Sequence, residues 1–189
     1  MVLNDIDILK SFMMDKNAKI YYDDNNNLIV EGNIIVFYDE DYNYSSIPVK
    51  IHKLIGNIHW YGGISTINQA GTLTSLKNFP DIVEGDVIIF KNPNLKSLEG
   101  CPKHISGTLQ CDFCNISSLE GIAEYIGRNC ILNNNPITDL SPLYNITVKG
   151  ITSIVNTPAA YDMEQVNKLA DTSILRVNES TDIDYFSTN

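Results

Sequence analysis

Residues 109–119 read LQCDFCNISSL, and residues 130–140 read CILNNNPITDL. Both stretches have an apolar residue or cysteine at positions 1, 3, 8 and 11 and a cysteine or asparagine at position 6. Alternating apolar residues predict a short strand that points every second side chain inward. The apolar residues spaced by three then close a coil. The side chain at position 6 lies at the turn, where it can bond to buried backbone groups.

The second half of this pattern recurs along the chain. It reads LTSLKNF at 73–79, LKSLEGC at 95–101, ISSLEGI at 116–122 and ITDLSPL at 137–143, in steps of 22, 21 and 21 residues. A repeat of this length predicts stacked units, because one unit alone cannot bury its apolar face. We therefore expect most of the core to form between neighbouring units.

The repeat resembles the leucine-rich repeat, whose pattern is L-x-L-x-x-N/C-x-L-x-x-L. The resemblance covers residues 73–156, and SLEGCP at 97–102 is similar to the short cysteine-containing leucine-rich repeats of proteins from large tailed bacteriophages. The family implies an α/β, mainly β fold, namely a short right-handed solenoid with parallel strands. The phage resemblance implies a phage-encoded protein in the cytoplasm of the host cell.

The segment before the repeats predicts a non-standard N-terminal cap. Asp5 is the predicted cap of a short helix with Ile6, Leu9 and Met13 on one face. A polar turn at 23–27 predicts a hairpin. Two stretches, 32–36 and 56–60, begin with glycine and continue with alternating apolar residues, so they resemble degenerate units at irregular spacing.

The segment after the repeats predicts a second cap. Thr157 followed by Pro158 is a strong helix start, and it predicts a helix over about 158–171 with residues 159, 163, 166 and 170 on its apolar side. Residues 178–189 are acidic, and we expect them to be loose. The chain is thus one continuous domain, with a cap and degenerate repeats over 1–72, a repeat core over 73–157 and a cap helix with an acidic tail over 158–189.

Charge and composition exclude several kinds of partner. The chain of 189 residues has 13 Lys and Arg against 23 Asp and Glu, a net charge of −10, which argues against direct binding of nucleic acid. No run approaches the roughly 20 apolar residues that cross a bilayer, so we expect no membrane partner. The start has no basic end followed by an apolar run. We therefore expect a cytoplasmic protein with reduced cysteines.

Four side chains within fourteen residues have the chemistry of zinc ligands. They are Cys101, His104, Cys111 and Cys114. In the repeat, however, the three cysteines occupy positions that carry apolar residues or asparagine in neighbouring units, which explains them as buried core residues. We expect no metal and no cofactor.

Other catalytic and ligand-binding motifs are incomplete. Residues 39–45 read DEDYNYS, like the start of a calcium loop, but Tyr44 replaces the required glycine and Lys50 replaces the final glutamate. An acidic surface loop is the expected structure. The sequence has no glycine-rich phosphate loop and no nucleophile elbow. We expect a protein that is not an enzyme, and a metal-dependent enzyme is the third alternative.

The strands predict an outward face that is rich in aromatic residues. If Val87, Leu109 and Cys130 point inward, their neighbours form two rows on the concave side, ending at Thr152 and Ile154. A contiguous apolar patch of this kind usually marks a binding site. The expected partner-binding residues are Phe37, His59, Tyr61, Ile88, Phe90, Gln110, Asp112, Ile131 and Asn133. Alternatively, the N-terminal helix, the hairpin or a second copy of the chain covers this face.

These features together predict a protein-binding module. The phage resemblance suggests an inhibitor or modulator of a host bacterial protein, such as a defence factor or a nucleic-acid enzyme. The negative charge would favour a basic, nucleic-acid-binding partner. The second alternative is a structural or virion-associated protein that forms homo-oligomers through the same face.

Overall fold

The computed structural model describes residues 4–13, 15–37, 44–62, 70–170 and 174–177. These residues form two sheets and few helices. In spatial order, the first sheet contains β1 (Lys19–Tyr22), β2 (Leu28–Glu31), β4 (Lys53–Ile55), β6 (Ile82–Val83), β8 (His104–Ile105), β10 (Tyr125–Ile126) and β12 (Thr147–Val148). The second contains β3 (Ile34–Phe37), β5 (Ile58–Tyr61), β7 (Val87–Phe90), β9 (Leu109–Asp112), β11 (Cys130–Ile131), β13 (Ile151–Ser153) and β14 (Ile174–Arg176).

From β2 to β13, successive strands alternate between the two sheets, because each unit contributes one strand to each sheet. All described strand pairs are parallel except the antiparallel β1–β2 hairpin. The expected α/β, mainly β class with parallel strands is confirmed. The two stretches with irregular spacing join the same sheet in register, since Ile34 pairs with Ile58 and Ile58 with Val87.

The core is formed by the apolar positions of the repeat. Inward residues of the second sheet are buried, including Trp60 and Ile89, and so are the residues spaced by three, such as Leu73, Leu76 and Phe79. The same positions in the later units are also buried. The pattern read from the sequence therefore corresponds to the residues that each unit packs against its neighbours.

A buried row of side chains follows the strands of the second sheet. Asn92 accepts a hydrogen bond from the N–H of Leu73 and donates to the carbonyls of Trp60 and Phe90. Asn135 accepts from the N–H of Ile116 and donates to three carbonyls. The thiol of Cys114 and the hydroxyl of Thr157 occupy the corresponding places in their units. We call this set of Asn92, Cys114, Asn135 and Thr157 the buried ladder.

A second row of side chains lies at the corner between the two sheets. A side-chain oxygen in one unit accepts a hydrogen bond from a backbone N–H in the next unit, over distances of 2.7–3.1 Å. We call this set the corner ladder; its acceptors are Asp15, Asn33, Asn57, Asp86 and Asn129. The chain passes close to itself here. Gly56 has a φ of 150°, and a Cβ at this position would overlap the carbonyl of Gly32.

The N-terminal cap differs from the prediction in its helix start. Helix α1 (Asp5–Phe12) begins one residue earlier than expected, because Asn4 rather than Asp5 accepts a hydrogen bond from the N–H of Asp7. Its buried residues are Leu9 and Phe12, while Ile6 is only half-buried. The predicted hairpin forms as β1 and β2, around a turn in which Asp23 accepts from the N–H groups of Asn25 and Asn27.

The C-terminal cap is two short helices rather than the predicted single helix. Thr157 caps a 3₁₀ helix (Pro158–Tyr161) by accepting from the N–H of Ala160. Asp162 then starts α2 (Met163–Ala170) by accepting from the N–H groups of residues 164 and 165. Because the turn at Asp162 rotates the second helix, Val166 and Leu169 are buried, whereas residues 163 and 170 are exposed.

Strand β14 follows α2 and was not predicted; it pairs with β13. The tail predicted over 178–189 lies outside the described residues. Within the described part of the chain, no helix combines the length and the apolar character that crossing a membrane requires.

Candidate functional site

The candidate site is the side of the second sheet that points away from the core. We call it the outward face. Its first row follows the strand register through Ile35, His59, Ile88, Gln110, Ile131 and Ser153. Its second row contains Phe37, Tyr61, Phe90 and Asp112, and Asn133 continues it by donating its N–H to Asp112. The structure thus brings together all nine residues expected from the sequence.

The end of each predicted row is wrong. Thr152 and Ile154 were expected on the outward face, but Thr152 pairs with Cys130 and both residues are buried. The reason is one extra residue in the last unit. Leu109 pairs with Cys130, 21 positions later, whereas Cys130 pairs with Thr152, 22 positions later. This shift turns the side chains of β13 to opposite sides.

Aromatic rings occupy the N-terminal half of the outward face. Phe37 stacks on Tyr61 with ring centroids 5.4 Å apart and an interplanar angle of 15°. The imidazole ring of His59 packs edge-on against Tyr61, with ring centroids 5.8 Å apart. Phe90 and Phe113 form an edge-to-face pair at 5.5 Å. With 43% of Phe37 and 48% of Phe113 exposed, this half presents two large apolar side chains to solvent.

Phe113 was not among the residues predicted from the sequence. Its backbone is left-handed, with a φ of 52°, as are the corresponding residues of the other units, Lys91, Asn134 and Asn156. This conformation is tolerated best by glycine and asparagine and is unfavourable for a bulky side chain. The sequence contained a signal, since Phe113 stands at a position where two other units have asparagine.

Polar side chains occupy the C-terminal half of the outward face. Asp112 is only 7% exposed; its Oδ2 accepts from the amide of Gln110 at 2.6 Å, and its Oδ1 accepts from the N–H of Asn133 at 3.0 Å. Asn133 in turn accepts from Ser153 and from the N–H of Val155. Burial raises the pKa of the Asp112 carboxyl above its ordinary value, and the two hydrogen bonds only partly offset this.

The cap elements that could have covered this face pack elsewhere in the described part of the chain. Phe12 of α1 packs against Trp60, whose side chain points inward, with ring centroids 6.1 Å apart. The ring centroid of Phe12 also lies 4.7 Å from that of Tyr44. The hairpin extends the first sheet and not the second. Within the described residues, neither element therefore covers the aromatic rings.

The cysteines predicted as core residues are buried. Burial raises the pKa of Cys101 and of Cys114 to about 12 each. His104 is exposed on the first sheet instead, where its ring stacks on Tyr125 with centroids 4.5 Å apart. Across the described ranges, no three side chains of His, Cys, Asp or Glu are grouped so that they could hold a metal ion. Most of the calcium-like stretch, residues 39–43, lies outside those ranges.

The outward face is therefore a continuous surface with an aromatic half and a hydrogen-bonded polar half. Its arrangement suits contact with another molecule through ring faces and amides. Comparison of the chain with models of protein families, with curated proteins and with solved structures finds no match.

Proposed function

We propose that this chain is a short right-handed solenoid of the leucine-rich-repeat type whose outward face binds another protein. Two observations support the solenoid: from β2 to β13 the strands alternate between two sheets whose strands are parallel apart from the β1–β2 hairpin, and the buried ladder repeats in successive units. In such a fold the outward face is an extended binding surface. The proposed role is non-enzymatic and needs no cofactor.

The observation that carries the binding role is Phe113. A half-exposed aromatic ring on a left-handed backbone costs conformational energy, and its edge contact with Phe90 offsets that cost without a net gain in stability. Strained residues of this kind cluster at binding and catalytic sites. Exposed aromatic residues are also enriched among those that contribute most to protein interfaces. Phe113 adjoins Phe90, so the two rings offer one contact area to a partner.

The proposed partner is a host bacterial protein that the chain inhibits or modulates. The resemblance to phage repeat proteins supports a partner that belongs to the bacterial host. The net charge of −10 supports a basic target, such as a nucleic-acid-binding enzyme or a defence factor, because complementary charge speeds association.

A capture experiment with the variant Phe113→Asn tests this proposal. Asparagine suits the left-handed backbone, so the relief of strain and the lost ring contact should nearly cancel, and the free energy of unfolding should change by less than about 1 kcal/mol. Tagged wild-type protein should retain one stoichiometric protein from a bacterial lysate, and Phe113→Asn should lose it. Tyr161→Asn is the matched control, since Tyr161 is exposed on the C-terminal cap.

Equal capture by wild type and Phe113→Asn would contradict the proposal. Sedimentation of the purified chain measures its oligomeric state and so distinguishes binding of a host protein from self-association. A wild-type dimer that Phe113→Asn dissociates would assign the same face to a homo-oligomer and overturn the host-partner function.

A further inference from the structure

The carboxylate of Asp112 occupies an unusual place on the outward face. It lies at the boundary between the aromatic and polar halves, next to Phe90 on the neighbouring strand. Phe113 is the next residue, and its ring contacts Phe90. Neighbouring strands are separated by about 4.8 Å. The strand register therefore places Asp112 beside Phe90, and the chain places it next to Phe113.

The hydrogen bonds of Asp112 leave part of its acceptor capacity unused. An ionised carboxylate has about four lone-pair sites, and the structure shows two bonds, from Gln110 and from the N–H of Asn133. Both donors are neutral amides. Among the residues that the structure describes, no Lys, Arg or His lies within ion-pairing distance of Asp112. Among the described residues, this nearly buried carboxylate therefore has no ion-pair partner.

The aromatic rings beside Asp112 favour a cation as well. The Nζ of Lys91 already lies 5.6 Å from the centroid of Phe90, in the range of a cation–π contact, without pairing with Asp112. A guanidinium combines the required properties, because it is planar, always charged, stacks on aromatic rings and donates two parallel hydrogen bonds to a carboxylate.

We propose that the outward face recognises an arginine side chain of its partner, with the guanidinium paired to Asp112 and packed against Phe90 and Phe113. This inference rests on the proposed function and specifies its partner chemistry, a protein segment that presents arginine. Such a segment is complementary to a chain of net charge −10.

An NMR titration of the full chain tests the inference with two small probes. N-acetyl-arginine methylamide carries the guanidinium, and N-acetyl-citrulline methylamide has nearly the same shape without the charge. The arginine probe should shift the side-chain amide of Gln110 and the backbone amide of Asn133 with saturation. The citrulline probe should need a concentration about tenfold higher, or more, to cause the same shift, because charged hydrogen bonds are stronger than neutral ones.

The variant Asp112→Asn should lose the arginine response, while its oxygen can still accept from the N–H of Asn133. Asp86→Asn is the matched control, because Asp86 makes the same kind of bond, 2.7 Å from the N–H of Thr108, at the corner of the sheets. It should respond like wild type. Equal shifts from arginine and citrulline, or an unchanged response in Asp112→Asn, would overturn the inference.

The two proposals fail in different ways. If a partner is captured in a Phe113-dependent manner but Asp112→Asn captures it equally well and arginine causes no shift, the binding face stands and the arginine assignment is wrong. If arginine binds through Asp112 but no lysate protein depends on Phe113, the arginine site stands and the protein-binding function is wrong.

Discussion

The buried ladder and the corner ladder use similar side chains for different purposes. Asn92 and Asn135 are inaccessible to solvent, and each satisfies both a backbone N–H and backbone carbonyls. Asn57 and Asp86 are half-buried, and each accepts from one N–H of the next unit. Water can replace a lost bond at the corner but not in the core. We therefore expect burial, more than residue type, to decide how much each of these side chains contributes to stability.

The largest expected effect is on the buried ladder. Asn135→Ala leaves the N–H of Ile116 and the carbonyl of Cys111 without their partner in a buried place. We expect the free energy of unfolding to fall by roughly 3 kcal/mol or more. Urea denaturation followed by circular dichroism measures it. The control Asn115→Ala, an exposed asparagine, should change the value by less than about 0.5 kcal/mol. A small effect of Asn135→Ala would make the two ladders equivalent.

The next prediction concerns Cys114, which occupies an asparagine place in the buried ladder. The sequence pattern treats the two residues as interchangeable, but the N–H of Leu95, which an asparagine here would be expected to bind, already donates to the carbonyl of Asn92. Cys114→Asn should therefore bury an amide oxygen without a donor and lower stability by about 1–3 kcal/mol. Thermal unfolding measures it. An unchanged melting temperature would show that the ladder accepts either residue.

A smaller loss is expected at the corner. Asn57→Ala removes the acceptor for the N–H of Asp86, which water can then reach. The expected loss of stability is about 1 kcal/mol, measured by the same urea titration. Asn57→Asp keeps an acceptor, as the natural Asp86 does one unit later, and should lose less. If Asn57→Ala costs as much as Asn135→Ala, the contrast between the ladders fails.

The subtlest prediction concerns Asp112, which makes a corner-type bond in a buried place. Burial raises its pKa in the folded state, so the folded protein binds the proton more tightly than the unfolded chain. The carboxyl therefore destabilises the fold at pH values above its raised folded pKa, and this cost declines as the pH falls from there to the ordinary pKa of aspartate, below which it is gone. Asp112→Asn should be more stable than wild type at neutral pH and lose that advantage in acid. Thermal melts of both proteins over a range of pH measure this difference in stability. A variant that is less stable than wild type at neutral pH would contradict the prediction.

The repeat and three members of the buried ladder, Asn92, Cys114 and Asn135, could be predicted because these residues recur at nearly constant spacing. The outward rows could be predicted because side chains alternate along a strand. The corner ladder could not, since its acceptors differ in type and lie at irregular intervals, from Asp15 and Asn33 to Asn57 and Asp86.

Other features depend on backbone geometry that a pattern does not carry. One extra residue before Thr152 reverses the predicted side of β13. The exposed place of Phe113 follows from a positive φ. Strand β14 pairs with β13 across the whole of the C-terminal cap, and three residues give no periodic signal.

The reactivity of the four cysteines can be used to measure how often the central units of the protein open. Cys101, Cys111, Cys114 and Cys130 are free thiols in the central units, and their burial keeps them protonated. A thiol reacts with a disulfide reagent only as an exposed thiolate. The rate of labelling therefore reports how often the middle of the stack separates, independently of fraying at either end.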